Sequence, residues 1–305
     1  MTTHQKLDIE QAVTHKIIAR LEAGGLLPWA CPWERSLSGG SLPFNGATQV
    51  GYNGINIVIL WLAAQEQGYS SNNWMTFKQA LQLGGQVDPG EKGTHCVFYK
   101  PVPKHKDLSV DDEDQEFFAC RKVFTVFNID QISGLAAAPA VAQQDHDESH
   151  IARRVNLIAD AYCKAESIRV RHGGNKAYYS PLFDHVKLPT SFYSDGGFAS
   201  TYMHELIHST GHPKRLNRFE ANTRKFGSHN ESYAFEELTA SIGESIFCAE
   251  LGIRDQDESH ASYIANWLTH LKNDKTFIFK AAAAASKAYH YIMQYSDVKM
   301  LEDAA

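Results

Sequence analysis

The chain has little of what marks membrane, disulfide-stapled or highly charged proteins. Its cysteines, Cys31, Cys96, Cys120, Cys163 and Cys248, are an odd and scattered set with no Cys-x-x-Cys pair. That excludes a cysteine-built zinc module and a disulfide framework, and it suits a reducing, cytoplasmic setting. No apolar run is long enough to span a bilayer and the first residues show no signal-peptide pattern, so no membrane partner is expected. Charge is nearly balanced, with 29 Lys and Arg against 35 Asp and Glu. In residues 1–135 the balance is eleven against fourteen, and six of those acids, Asp107, Asp111, Asp112, Glu113, Asp114 and Glu116, share one loop. A localised basic face is compatible with this composition but is not established by it.

What is present centres on TYMHELIHSTGH, Thr201 to His212. His204, Glu205 and His208 form an H-E-x-x-H pattern. On a helix, positions four apart share a face, so both imidazoles can bind one metal ion. Glu205 then stands where a general base acts on metal-activated water. The bland alternative is a structural His pair on a helix. Met203, Leu206 and Ile207 make an apolar strip that buries the helix, and Gly211 suits its end.

A third ligand has to come from elsewhere. The position ten residues after His204 is Lys214, and His212 falls two residues early, so the spacing is not that of a metzincin. A Glu from a second helix, Glu231 to Ala249, is the other solution. Glu237, followed by Ala240 one turn on, is the expected ligand, with Glu236 as its competitor. Tyr233, one turn before Glu237, is the candidate oxyanion donor, set against a plain structural role. The expected cofactor is zinc or another divalent metal.

At 305 residues two domains are expected: an N-terminal α+β domain over 1–134 with a small antiparallel sheet, an Ala-rich linker over 135–149, and a mainly helical domain over 150–305. In the first, the pattern predicts helices over 7–23, 55–67 and 74–83, an irregular loop between the first two, a hairpin over 86–102 with a Pro89-Gly90 turn, and a strand over 117–129. In the second it predicts a helix over 150–165, strands over 167–172 and 177–189, the metal helix over 198–209, a polar crossover over 213–229, and three further helices. The linker, poor in large apolar residues, predicts halves that separate without loss.

Four of the five tryptophans, Trp29, Trp33, Trp61 and Trp74, lie in the first quarter of the chain, joined by Tyr52, Tyr69, Phe77, Phe98 and Tyr99. Such aromatics suit either a core or stacking on unpaired bases. The candidate DNA contacts are Trp29, Trp33, Tyr52 and Trp74 for stacking, and Lys78, Lys92 and Lys100 for phosphates.

Several stretches together resemble ArdC-type antirestriction proteins of conjugative plasmids. They are PW-x-CPW at Pro28 to Trp33, PFNGATQVGYNGIN at Pro43 to Asn56, NWMTFKQA at Asn73 to Ala80, GEKGTHCVFYK at Gly90 to Lys100, HELIHSTGHPKRLNR at His204 to Arg218 and YAFEELTAS at Tyr233 to Ser241. The resemblance implies an N-terminal single-stranded-DNA-binding domain joined to a zincin-like metallopeptidase domain, and a role in protecting incoming plasmid DNA from host restriction during conjugation. The basic residue usual in the Tyr-x-Gly-Ile-Asn stretch is Asn53 here. Two further readings stay open: a dedicated metalloprotease that recognises a host protein through its N-terminal half, and a DNA coat whose metal is purely structural.

Overall fold

The computed structural model describes residues 8–24, 27, 29, 42–103, 117–135, 148–226, 228–253 and 261–296, with the side chains of 100–103, 117–121, 148–149 and 261–262 outside that description. It is α+β in two parts, a sheet-bearing N-terminal part and a mostly helical C-terminal part.

Helix α1, Ile9–Glu22, starts at Asp8, whose side chain accepts from the Gln11 amide, and buries Ile9, Val13, Ile17 and Leu21 at helical spacing. Strand β1, Phe44–Asn45, leads to helix α2, Ile55–Gln67, which is apolar nearly all round and buried accordingly. Strand β2, Asn73–Met75, and helix α3, Phe77–Gln82, take the place of the single helix expected over 74–83. The reason is local: Thr76 caps α3 in a reciprocal capping box with Gln79, so Trp74 belongs to the strand before it.

The expected hairpin over 86–102 is corrected as well. Strand β3, Gln86–Val87, pairs with β6, Ile132–Ser133. Strand β4, Thr94–Pro103, pairs antiparallel with β5, Phe117–Asn128, along ten residue pairs. The main sheet runs β1-β2-β5-β4. At the free edge of β4, the Asn56 side chain donates to the Val97 carbonyl and accepts from its amide.

In the second part, α4, Glu148–Glu166, precedes a sheet of β7, Arg169–His172, β8, Tyr178–Ser180, and β9, His185–Leu188, in the order β7-β9-β8. Helix α5, Asp195–Thr210, follows. The polar crossover holds a helix the pattern did not predict, α6, Arg218–Lys225. Helix α7, His229–Leu251, then α8, Ala261–Asn273, and α9, Phe277–Met293, complete the order.

The linker's composition suggests separable halves, but the packing joins the two parts. One apolar core runs from α1 and α2 through α5, α7, α8 and α9. Trp29 is fully buried, donates its indole N–H to Ser241 Oγ of α7 at 2.9 Å, and meets Trp267 of α8 edge-on at 5.6 Å. The Gly54 amide donates to Ser286 of α9 and Thr14 donates to the Lys275 carbonyl. Composition points to a linker and gives no sign of this packing. Of the linker itself, residues 136–147 lie outside the described ones.

Candidate metal centre

Two helices build the centre. Helix α5 begins where Ser194 accepts from the Gly197 amide and stops at Gly211. A Cβ on Gly211 would lie 2.9 Å from the Phe219 ring and 3.1 Å from the His208 carbonyl, so a larger residue would press on the crossover where it folds back. Helix α7 starts at Ser228, which caps the Glu231 amide, and buries most of its length. The two helices lie close together at Gly243, where a Cβ would stand 2.8 Å from the Ile207 side chain. Ala240, fully buried, lies one turn nearer the centre.

This approach brings His204, His208 and Glu237 together, with one ligand atom from each all within 4.8 Å of one another. The two Nε2 atoms are 3.1 Å apart, and each is 3.7 Å from a Glu237 oxygen. Ligands at about 2.0–2.1 Å from a tetrahedral ion sit roughly 3.3 Å from one another. The three groups therefore fit a divalent ion with little movement.

Each imidazole is held from behind. His204 Nδ1 is 3.0 Å from Glu244, and His208 Nδ1 is 3.2 Å from Glu236. Carboxylates on both Nδ1 atoms fix the rings and leave both Nε2 atoms facing inward. Glu236, the competitor for the third ligand position, is thus turned to the far side of His208. There Arg218 donates to both of its oxygens, at 2.6 and 3.0 Å. Arg218 also donates to Thr210 Oγ1 and to the Ile207 carbonyl, tying α6, α5 and α7 together.

The charges follow this arrangement. Burial works against a charged His204, but the Glu237 and Glu244 hydrogen bonds and the Glu244 and Glu205 charges outweigh it and raise its pKa well above the usual value. Burial also opposes the charge on Glu236, yet the Arg218 guanidinium and the His208 contact win and bring it down to about 2. Glu237 is lowered too, against burial, by its His204 and His208 contacts.

Glu205 is buried beside His204 on α5. Tyr233 is 44% exposed, with its hydroxyl 3.2 Å from that of Tyr263. Burial, the Tyr263 bond and the Glu237 charge raise its pKa, so it stays a donor beside the ligand set. Sequence reasoning missed Arg218 and Glu244. Both fall within the helical stretches that frame the motif, but only the packing of α6 and α7 on α5 gives them a role.

The expected DNA contacts fare less evenly. Trp29 and Trp74 are fully buried, the latter in a cluster with Leu60, Cys96 and Val126, so neither can stack on a base. Prolines flank Trp29 and asparagines precede Trp74, which reads as surface loop, but each ring fills a core. Tyr52 is half-buried, its hydroxyl accepts from Asn45, and burial pushes its pKa up to about 12. Lys78 and Lys92 are exposed. Trp33 and the Lys100 side chain lie outside the described residues. Among the described residues of the N-terminal part, the aromatics that do face solvent are Phe77, Phe98 and Tyr99, at 49%, 54% and 44%. Asn53, at the position where a basic residue was expected, receives His290 Nε2 at 2.8 Å.

Comparison with known proteins agrees with this two-part description. Residues 7–127 match the N-terminal domain of anti-restriction factor ArdC, and residues 158–284 match a zincin-like metallopeptidase domain. An uncharacterized protein of Sinorhizobium fredii, y4eC, is 34% identical over 99% of this chain and 97% of its own length. The DNA primase TraC of Escherichia coli is also 34% identical, but the match spans 28% of that protein. Crystal structures of the antirestriction protein ArdC from plasmid R388, metal-free and Mn(II)-bound, are 36% identical and superpose with TM-scores of 0.74 and 0.73 over 95% of this chain and 98% of theirs. This chain belongs to the ArdC antirestriction family.

Proposed function

We propose that the protein binds single-stranded DNA and protects incoming plasmid DNA from host restriction during conjugation, acting in the cytoplasm. The observation that carries this reading is the end-to-end likeness to ArdC of plasmid R388. Exposed Phe77, Phe98 and Tyr99, with exposed Lys78, Lys92 and Lys122 on the same part of the chain, supply stacking surfaces and phosphate partners.

His204, His208 and Glu237 would hold a divalent metal, zinc by the chemistry of a two-His, one-Glu set. When bound, it supplies Lewis-acid polarisation and lowers the pKa of a water. Around it Glu205 takes a proton from the attacking water and returns it to the leaving amine. Tyr233 donates a hydrogen bond to the developing oxyanion. Strand β8, at the sheet edge and packed against α5, offers backbone groups to an extended peptide.

DNA protection needs a bound strand rather than a cut protein in this reading. Gel shifts across a salt series should show preference for single over double strands, with affinity falling as salt rises. Tyr99→Ala and Phe98→Ala should each weaken binding by about 1–3 kcal/mol. In a transfer assay into a restricting host, Glu205→Ala should keep DNA binding and protection. Lost protection with intact DNA binding would instead favour a metalloprotease acting on a host protein.

A further inference from the structure

The strands RVRH, YYS and HVKL of the second sheet contain no acidic residue, in a chain whose net charge is −6. Their register sorts the side chains. Val170, Val186 and Tyr179 align in one row, which packs inward. The other parity forms two rows: Arg171, Lys187 and Tyr178 in one, Arg169, His185 and Ser180 in the next. Arg169 and Arg171 are exposed, and residues two apart on a strand are about 6.6 Å apart along it. That is a spacing of the order of successive phosphates in an extended strand.

Aromatic rings are interleaved with these cations. Tyr178 is 42% exposed and Phe183, in the turn before β9, is 60% exposed. Lys187 Nζ lies 5.5 Å from the Tyr178 ring centre. Between the two rings sits His185, 5.9 Å from Tyr178 and 6.1 Å from Phe183. It is 6% exposed, and its Nδ1 is covered without a hydrogen-bond partner. Burial first, and then the charges of Arg171, Arg169 and Lys187, hold its pKa below the usual value. The nearby acid, Asp184, is taken up by Arg215 and Tyr179.

We propose that this outer sheet face is a second contact surface for single-stranded DNA, with Arg169, Arg171 and Lys187 on the phosphates and Tyr178 and Phe183 stacking on bases. An acidic peptide would match the cations but has no use for two rings open for stacking. The proposal rests on the reading that the chain binds single strands, and extends the strand's path from the N-terminal part onto the metallopeptidase-like part.

The test is fluorescence anisotropy of full-length protein with labelled oligo(dT), short and long, over a potassium chloride series. Arg169 also donates to the Phe183 carbonyl, so it is left in place. The Arg171→Gln/Lys187→Gln double variant should make the log-affinity against log-salt slope for the long oligonucleotide shallower by about 1.4, at roughly 0.7 per lost phosphate contact. Tyr178→Ala and Phe183→Ala should each weaken long-oligonucleotide binding roughly tenfold. The short oligonucleotide should be unaffected, and Arg171→Lys/Lys187→Arg should keep the wild-type slope. All variants should melt like the wild type. An unchanged slope and affinity in the double variant would overturn the proposal. So would displacement of oligo(dT) by polyglutamate at equal charge, which would make this a peptide surface. Loss of long-oligonucleotide affinity in Tyr99→Ala alone would leave the N-terminal reading standing while this one fell. No binding by the wild type would remove both.

Discussion

Arg218 is almost wholly buried and spends its donors on Glu236, Thr210 and the Ile207 carbonyl. Arg218→Met would strand the Glu236 carboxylate, whose low pKa depends first on that guanidinium among the effects that oppose its burial. Removing one member of a buried pair costs about 3–5 kcal/mol, which urea unfolding would register. Loosening the group behind His208 should also lower metal affinity by about 10–100-fold in a chelator competition. Arg218→Lys should rescue little, since an ammonium cannot make the two-pronged contact. Metal affinity unchanged in Arg218→Met would leave Arg218 a purely structural role. A second residue test concerns pH. Burial of Asp184 opposes its charge, but the Arg215 and Tyr179 hydrogen bonds hold its pKa below the ordinary 3.8. A carboxylate lowered in the folded state stabilises above its unfolded pKa and stops doing so as pH falls through its folded one. Asn tolerates the positive φ of 46° at this position. The stability gap between wild type and Asp184→Asn should therefore be level near neutrality and close below about pH 4; a gap indifferent to pH would take this ion pair out of the account. At this scale His204, Glu205 and His208 were legible because a spacing of four fixes a face. Glu237 was preferred to Glu236 on the small Ala240 one turn on, but the competitor stayed open, because neighbours on a helix point about 100° apart and only the partner helix says which way is in.

At the scale of elements, periodicity placed α1, α2, α4, α5 and α7 to within a few residues, since each carries an apolar run or apolar spacing of its own. It failed where pairing is non-local. Strand β3 is two residues long and finds β6 rather than β4, a choice made by the whole sheet and not by the Pro89-Gly90 turn. It failed at Trp29 for the same reason: a Trp between prolines reads as a loop ornament until α7 and α8 supply its pocket. The exposed fate of a fragment ending at Gly134 follows. A fragment that kept α1, α2 and the main sheet would bare Ile9, Ile17, Trp29 and Ile57, which the full chain buries. We expect it to unfold at lower urea than the full protein and to bind a hydrophobic dye such as ANS. A fragment as stable as the parent would mean the shared core contributes little.

Considered as a whole molecule, the chain links its two likenesses through α7. One helix carries Glu237 at the metal centre and, one turn on, Ser241, which receives the Trp29 indole. An ion that binds only the folded state stabilises it by mass action, about 2.7 kcal/mol at a hundredfold excess over its dissociation constant. Because the core is continuous, that gain should reach α1 and α2 as well as α5 and α7. Heating with saturating zinc or manganese should therefore raise one transition, seen at the same temperature by tryptophan fluorescence and by calorimetry. Chelation should lower it, and Glu237→Ala, short of its carboxylate ligand, should lose most of the metal-dependent shift. Glu205→Ala should keep the shift, since its carboxylate is not among the three converging groups. Two transitions, only the later one responding to metal, would show halves that melt independently despite their shared core, and would return the molecule to two separate domains joined by a passive linker.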